Sequence, residues 1–253
     1  MVSRVDFLVA LALGIAPALV VLWFSLRRFD RPYVDRTLFD DRRVFGGLAV
    51  GMVFGIVASV LNLSIGSGYV TDLAGSVILL AGILFFEELF KVVYMNRRGY
   101  RERFDTTFYG VPIGVGVAAT SVVATVTWVV GDSLYSGVVL PLMVLLSVSL
   151  SFVHADSGAL IGFGASRGDL WGGFRKGLAV RYAHIALMSP FILLSGQAAS
   201  PEILIPALLG LLSSIAFAVI VFDYVYRVVL PGTLPEDLRR ELRREKRARP
   251  VRP

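Results

Sequence analysis

Cysteine is absent from the chain. No disulfide, thiolate metal site or catalytic thiol can therefore be built. Histidine is almost as scarce, with only His154 and His184 present. Charge is thin as well: Asp, Glu, Lys and Arg make up 17% of the residues, and no polar stretch is long enough for a second, soluble domain. The net charge of +6 does not argue for nucleic acid, because the arginines gather in loops and in the C-terminal tail.

What is present is apolar sequence, 56% of the residues, in runs near the ~20 residues with which an α-helix crosses a bilayer. The expected fold is all-α, an integral membrane bundle of about seven transmembrane helices. Residues 1–230 form a polytopic domain and residues 231–253 a basic cytoplasmic tail. Segment one runs from about Val5 to Leu26. Ala16-Pro17-Ala18 lies inside the apolar run and not after it, so an uncleaved helix is expected. Segment two, about Val44 to Ile65, carries Gly47, Gly51 and Gly55 on one face, where a neighbour can approach closely. A turn is expected at Gly66-Ser67-Gly68. Segment three follows from about Val70 to Met95 and segment four from about Thr106 to Val130, with a second small-residue face at Gly110, Gly114 and Ala118.

Segment five, about Gly137 to Ala165, is long enough to require tilt or a break, for which Pro141 is the candidate. Segment six runs from about Gly177 to Ser195, with Arg181 near its start and His184 inside. Segment seven runs from about Pro201 to Leu230 and ends with an Asp223–Arg227 pair at helical spacing. In the tail, Leu234, Leu238 and Leu242 repeat every four residues among arginines. This fits an amphipathic helix on anionic lipid as well as a solvated basic tail.

Basic residues crowd the loop Arg27–Arg43, the loop after Met95, the loop after Ala165 and the tail, whereas the intervening turns hold none. The positive-inside rule then places the N-terminus outside and the C-terminus in the cytoplasm of a multi-pass protein, expected in the cell (plasma) membrane.

One stretch breaks the apolar pattern. Phe85-Phe86-Glu87-Glu88-Leu89-Phe90-Lys91 sets three ionisable groups inside segment three. Each charge at membrane depth costs roughly 2.5–3.5 kcal/mol on insertion scales, so the cluster is a candidate functional site. Glu88 lies about seven residues before the end of its segment, roughly 10 Å below the boundary at 1.5 Å per residue. His154 and His184 come to nearly the same depth, which suggests one polar pocket opening to the cytoplasmic side. In it a glutamate can take a proton from water while a histidine steadies the oxyanion. Alternatively His154, His184 and Glu88 hold a single zinc ion, although HExxH spacing is absent. Lys91 can pair with either glutamate along the helix.

These residues resemble the PrsW family of intramembrane proteases, relatives of the CAAX prenyl endopeptidases. Glu87-Glu88-Leu89-Phe90-Lys91 matches the family's EExxK motif. Asp105, Tyr109, Gly110 and Gly116 fall in its second signature, His154-Ala155 through Gly162 in its third, and His184 in its fourth. Asp30-Arg31-Pro32 is similar to the family's first cytoplasmic loop. The resemblance covers nearly the whole chain in one order. It implies a peptidase acting on a membrane-anchored protein near the cytoplasmic leaflet, with Glu87, Glu88, His154 and His184 catalytic and Lys91, Ser121 and Asp156 supporting. Two positions depart from the pattern: Ser121 stands where the family has Glu, and Met188 where it often has Asp. Asp156 is an extra carboxylate, but its ~200° offset from His154 turns it to the other side of the helix. Two other functions fit the same residues. One is a non-catalytic membrane binding or scaffold protein; the other is a small ion-coupled transporter, for which no inverted repeat is seen.

Overall fold

The computed structural model describes residues 4–31, 34, 37–69, 73–135, 137–194 and 201–248, and among these the regular structure is helical throughout. The long helices are α1 (Arg4–Leu26), α2 (Asp41–Tyr69), α3 (Leu73–Met95), α4 (Thr106–Ala124), α5 (Val139–Ser166), α6 (Leu170–Leu194) and α7 (Pro201–Tyr224). A short α8 (Leu230–Gly232) and a polar α9 (Glu236–Ala248) follow. Helices α4 and α7 continue as π-helix over Thr125–Val130 and Val225–Val229. Six helical stretches are long and apolar enough to cross a membrane: Phe7–Phe29, Asp41–Ile65, Thr106–Val130, Val139–Ser166, Leu170–Leu194 and Glu202–Gly232. Helix α3 is not among them. It has the length, 23 residues, but it carries Glu87, Glu88 and Lys91.

Three local expectations change. The chain stays helical through Gly66-Ser67-Gly68, and α2 ends only at Tyr69. Helix α5 is one unbroken helix, because Pro141 falls in its first turn, where a missing N–H has no intrahelical bond to lose. Helix α6 starts seven residues earlier than the apolar run suggests, at Leu170, so Arg181 lies near mid-helix. Pro32, Val70 and Ser195 lie outside the described residues.

Helix α4 is the hub. It packs most closely on α5 and α2, and every residue of it is buried except Ser121 and Val123. Small residues permit this. A Cβ on Gly110 would meet the Gly158 carbonyl, and one on Gly114 would meet the His154 carbonyl. The backbones of α4 and α5 therefore touch, and that contact fixes where His154 stands.

The basic segments share one end of the bundle. Arg43 donates to the Gly99 carbonyl at 2.8 Å, the Glu102 N–H to Ala165 at 3.0 Å, and Arg167 to Gly232 at 2.6 Å. At this end Asp105 accepts hydrogen bonds from Arg103 and from the Tyr109 hydroxyl, and that hydroxyl accepts the Asp40 N–H at 3.0 Å. Leu234 and Leu238 join the main core with Phe29, Phe108 and Leu230. In the tail, Glu236–Ala248 is helical, and Leu234 and Leu238 pack on the bundle.

Candidate active site

Four charges meet in the interior. Glu87 and Glu88 on α3 face Lys91 one turn later and Arg181 on α6. Glu88 and Lys91 are wholly buried, and Glu87 and Arg181 are 6% and 4% exposed. Arg181 Nη2 donates to Glu87 Oε2 at 2.7 Å, and its Nε stands 3.4 Å from Glu88 Oε1. Lys91 Nζ donates to Glu88 Oε1 at 2.6 Å and to Ser157 Oγ on α5 at 2.7 Å. Ser157 in turn donates to Glu88 Oε1 at 3.2 Å. Two carboxylates against two cations leave no net formal charge among these buried side chains. That balance is what allows α3 to be buried with its charges intact.

The glutamates are not equivalent. Glu88 is fixed by Lys91, Ser157 and the near guanidinium. Glu87 lines a cavity of about 170 Å³ bounded by α2 to α6. His154, Arg181 and Ser121 line the same cavity, with Ser59 and Asn62 of α2. His154 is 1% exposed, and its Nδ1 has no hydrogen-bond partner among the described residues. Ser121, the α4 position where the resemblance expects Glu, faces this space, which explains why it escapes full burial.

The cavity does not open as its depth suggests. From Glu87 its lining runs back along α3 to Leu80 and forward along α2 to Leu63 and α4 to Val129. All three directions lead away from the basic end. On the basic side, Phe54 and Phe90 stack with ring centroids 3.7 Å apart and close the seam between α2 and α3. A pocket opening toward the basic loops is therefore not what the packing provides.

His184 is not at this cavity. Its Nε2 lies 2.8 Å from Ser149 Oγ, which is 3.2 Å from Ser214 on α7. It stands three residues beyond Arg181 on α6, roughly 60° round the axis and 4.5 Å along it, so it faces α5 and α7 while Arg181 faces α3. Asp156 is fully buried, does not line the cavity, and neither of its oxygens has a hydrogen-bond partner among the described residues. Met188 packs with Phe191 and Leu211 in an apolar cluster. The zinc option named His154, His184 and Glu88 as ligands. Among the described residues no three His, Asp or Glu side chains are grouped to hold a metal ion, so that donor set does not fit.

Arg181 has no role among the sequence expectations, although a lone cation inside an apolar helix is a signal: with α6 expected from about Gly177, Arg181 stands at its start as a flanking residue. Ser157 carried no signal, because one serine among several in α5 does not declare its partner. Compared with protein-family models, with curated proteins and with solved structures, the chain matches none of them.

Proposed function

We propose that the chain is an intramembrane endopeptidase of PrsW-like type, set in the plasma membrane with α3 as a seventh span and the basic end in the cytoplasm. Its substrate is a membrane-anchored protein. The observation that carries the reading is that one cavity is lined by Glu87, His154 and position 121, three positions that the resemblance to the PrsW motifs names, with Arg181 beside them. Glu87 takes a proton from a water in the cavity. The resulting hydroxide attacks the scissile carbonyl carbon, and His154 donates a hydrogen bond to the oxyanion. The C–N bond then breaks, and the leaving amine takes the proton back from Glu87. Arg181 holds the Glu87 carboxylate in place, and Glu88, Lys91 and Ser157 form the platform beneath it. The cavity runs from Glu87 toward the end away from the basic loops, which favours entry of the substrate from that side, while Glu87 itself stands eight residues, about 12 Å, before the basic end of α3.

Mixing the purified protein with membrane-anchored substrates, beside Glu87→Ala and Glu88→Ala proteins, tests this. Both variants are expected to lose cleavage; equal cleavage by all three would falsify it.

Ser121 favours a second reading, a non-catalytic binding or scaffold protein on the same bundle. The cavity lacks the carboxylate expected there, and each carboxylate of the charge cluster already has a cation. Under that reading a well-folded Glu88→Gln protein keeps its role in the cell; loss of that role speaks against it.

A further inference from the structure

The wall of the Glu87 cavity between α2 and α3 is loose. Helix α2 leans on α4: a Cβ on Gly51 would meet the Ile113 carbonyl, and one on Gly55 the Thr120 hydroxyl. Helix α3 leans on α6, where the Tyr182 hydroxyl donates to the Ala81 carbonyl at 3.0 Å. Between α2 and α3, Phe54 meets Phe86 at 5.6 Å and Phe90 at 3.7 Å, which closes the seam on its basic side. Beyond these rings the packing thins. From Ala74 to Ile83 no residue of α3 is buried, and the first that is buried is Leu84. Leu80 and Ile83 line the cavity and yet are only half-buried. Across from them on α2, Ser59 and Leu63 are half-buried and Asn62 is exposed, and all three line the same cavity.

This opening has the wrong size for a helix and the wrong chemistry for a lipid tail. A helix with its side chains is about 10–12 Å across, more than a cavity of about 170 Å³ admits. A single extended stretch fits. Its freed N–H and C=O groups then need partners at membrane depth, where water does not supply them. Ser59 and Asn62, three residues apart and so on one face of α2, offer a hydroxyl and an amide on the rim. An apolar acyl chain gives those groups nothing to bond.

We infer that the substrate is a membrane-spanning segment that enters sideways from the bilayer between α2 and α3. It is locally unwound there, and Ser59 and Asn62 hydrogen-bond its backbone on the way to Glu87. The inference rests on the peptidase reading and narrows it: a protein held only by a lipid anchor at the basic face does not reach this seam.

Because the chain has no cysteine, cross-links can be placed one at a time. A Glu87→Gln protein, expected to hold its substrate uncut, is given either Leu80→Cys at the seam or Ile220→Cys on the exposed face of α7. Each is reconstituted in vesicles with a single-span substrate that carries one cysteine in the half of its span farther from the basic end. The disulfide yield at position 80 is expected to exceed that at position 220 at least about tenfold. Adding Asn62→Leu is expected to lower it about fivefold, the factor that corresponds to about 1 kcal/mol for one hydrogen bond. Equal yields at the two positions, or a yield untouched by Asn62→Leu, overturn the inference even where the wild-type protein cleaves the substrate. A seam-specific yield without cleavage by the wild-type protein supports the entry route and sinks the peptidase reading alone.

Discussion

Arg181 closes the charge balance around Glu87, and removing it leaves a buried carboxylate without its cation. Breaking a buried pair in this way costs about 3–5 kcal/mol. The Arg181→Met protein is therefore expected to unfold at markedly lower temperature in detergent, and adding Glu87→Gln to it should restore much of the loss. Additive damage in the double variant would show that the two groups are not coupled. The two positions that depart from the PrsW pattern should respond differently. Ser121 borders open space, so Ser121→Glu should fold. Met188 is packed in an apolar cluster, so Met188→Asp should lose roughly 3 kcal/mol or more. At the basic end, burial works to raise the Asp105 carboxyl, but the bonds from Arg103 and Tyr109 outweigh it, and the group titrates below its ordinary 3.8. A depressed acid stabilises the fold above its unfolded value and loses that contribution as pH falls through the folded one. The Asp40–Tyr109–Asp105 link should thus hold down to pH 3.8 and weaken below it. Hydrogen exchange of the Asp40 amide measures this, and Asp105→Asn should remove the dependence.

At the scale of the helix, small residues decide how near two backbones come. A Cβ on Gly158 would strike the Gly110 carbonyl, so Gly158→Ala should cost about 1–3 kcal/mol by overpacking and shift His154 with α5. Gly82 on α3 has nothing within 4 Å of an added Cβ, and Gly82→Ala should gain up to about 1 kcal/mol from helix propensity. Comparing the two melting temperatures tests the hub role of α4. The helices themselves were readable, because runs of apolar residues near spanning length leave few alternatives. Their ends were less so. Gly66-Ser67-Gly68 looks like a turn, yet the backbone stays helical there. The start of α6 was hidden because Gly172, Gly173, Arg175 and Lys176 read as a loop. The seven added residues move Arg181 from the edge of the helix to its middle. Equal depth along the helices brings His154 and Glu87 to one cavity, but rotation about the α6 axis, which depth does not carry, turns His184 to Ser149.

For the whole molecule, the basic loops form one end and the Glu87 cavity leads toward the other. The proposed orientation, with the basic end in the cytoplasm, follows the positive-inside rule. Because cysteine is absent, orientation can be read by adding one at a time. An impermeant thiol reagent applied to intact cells should label Val138→Cys and leave Gly99→Cys untouched; the reverse pattern would invert the topology. The proposed activity rests most directly on Glu87, the carboxylate that borders the cavity. The decisive measurement reconstitutes the wild-type and Glu87→Gln proteins in vesicles with a membrane-anchored test substrate and follows release of the cleaved fragment, with melting temperatures recorded for both. A folded Glu87→Gln protein should release it at least about 100-fold more slowly, the loss expected when a general base is removed. Equal rates in the two folded proteins would contradict a proteolytic role for this site.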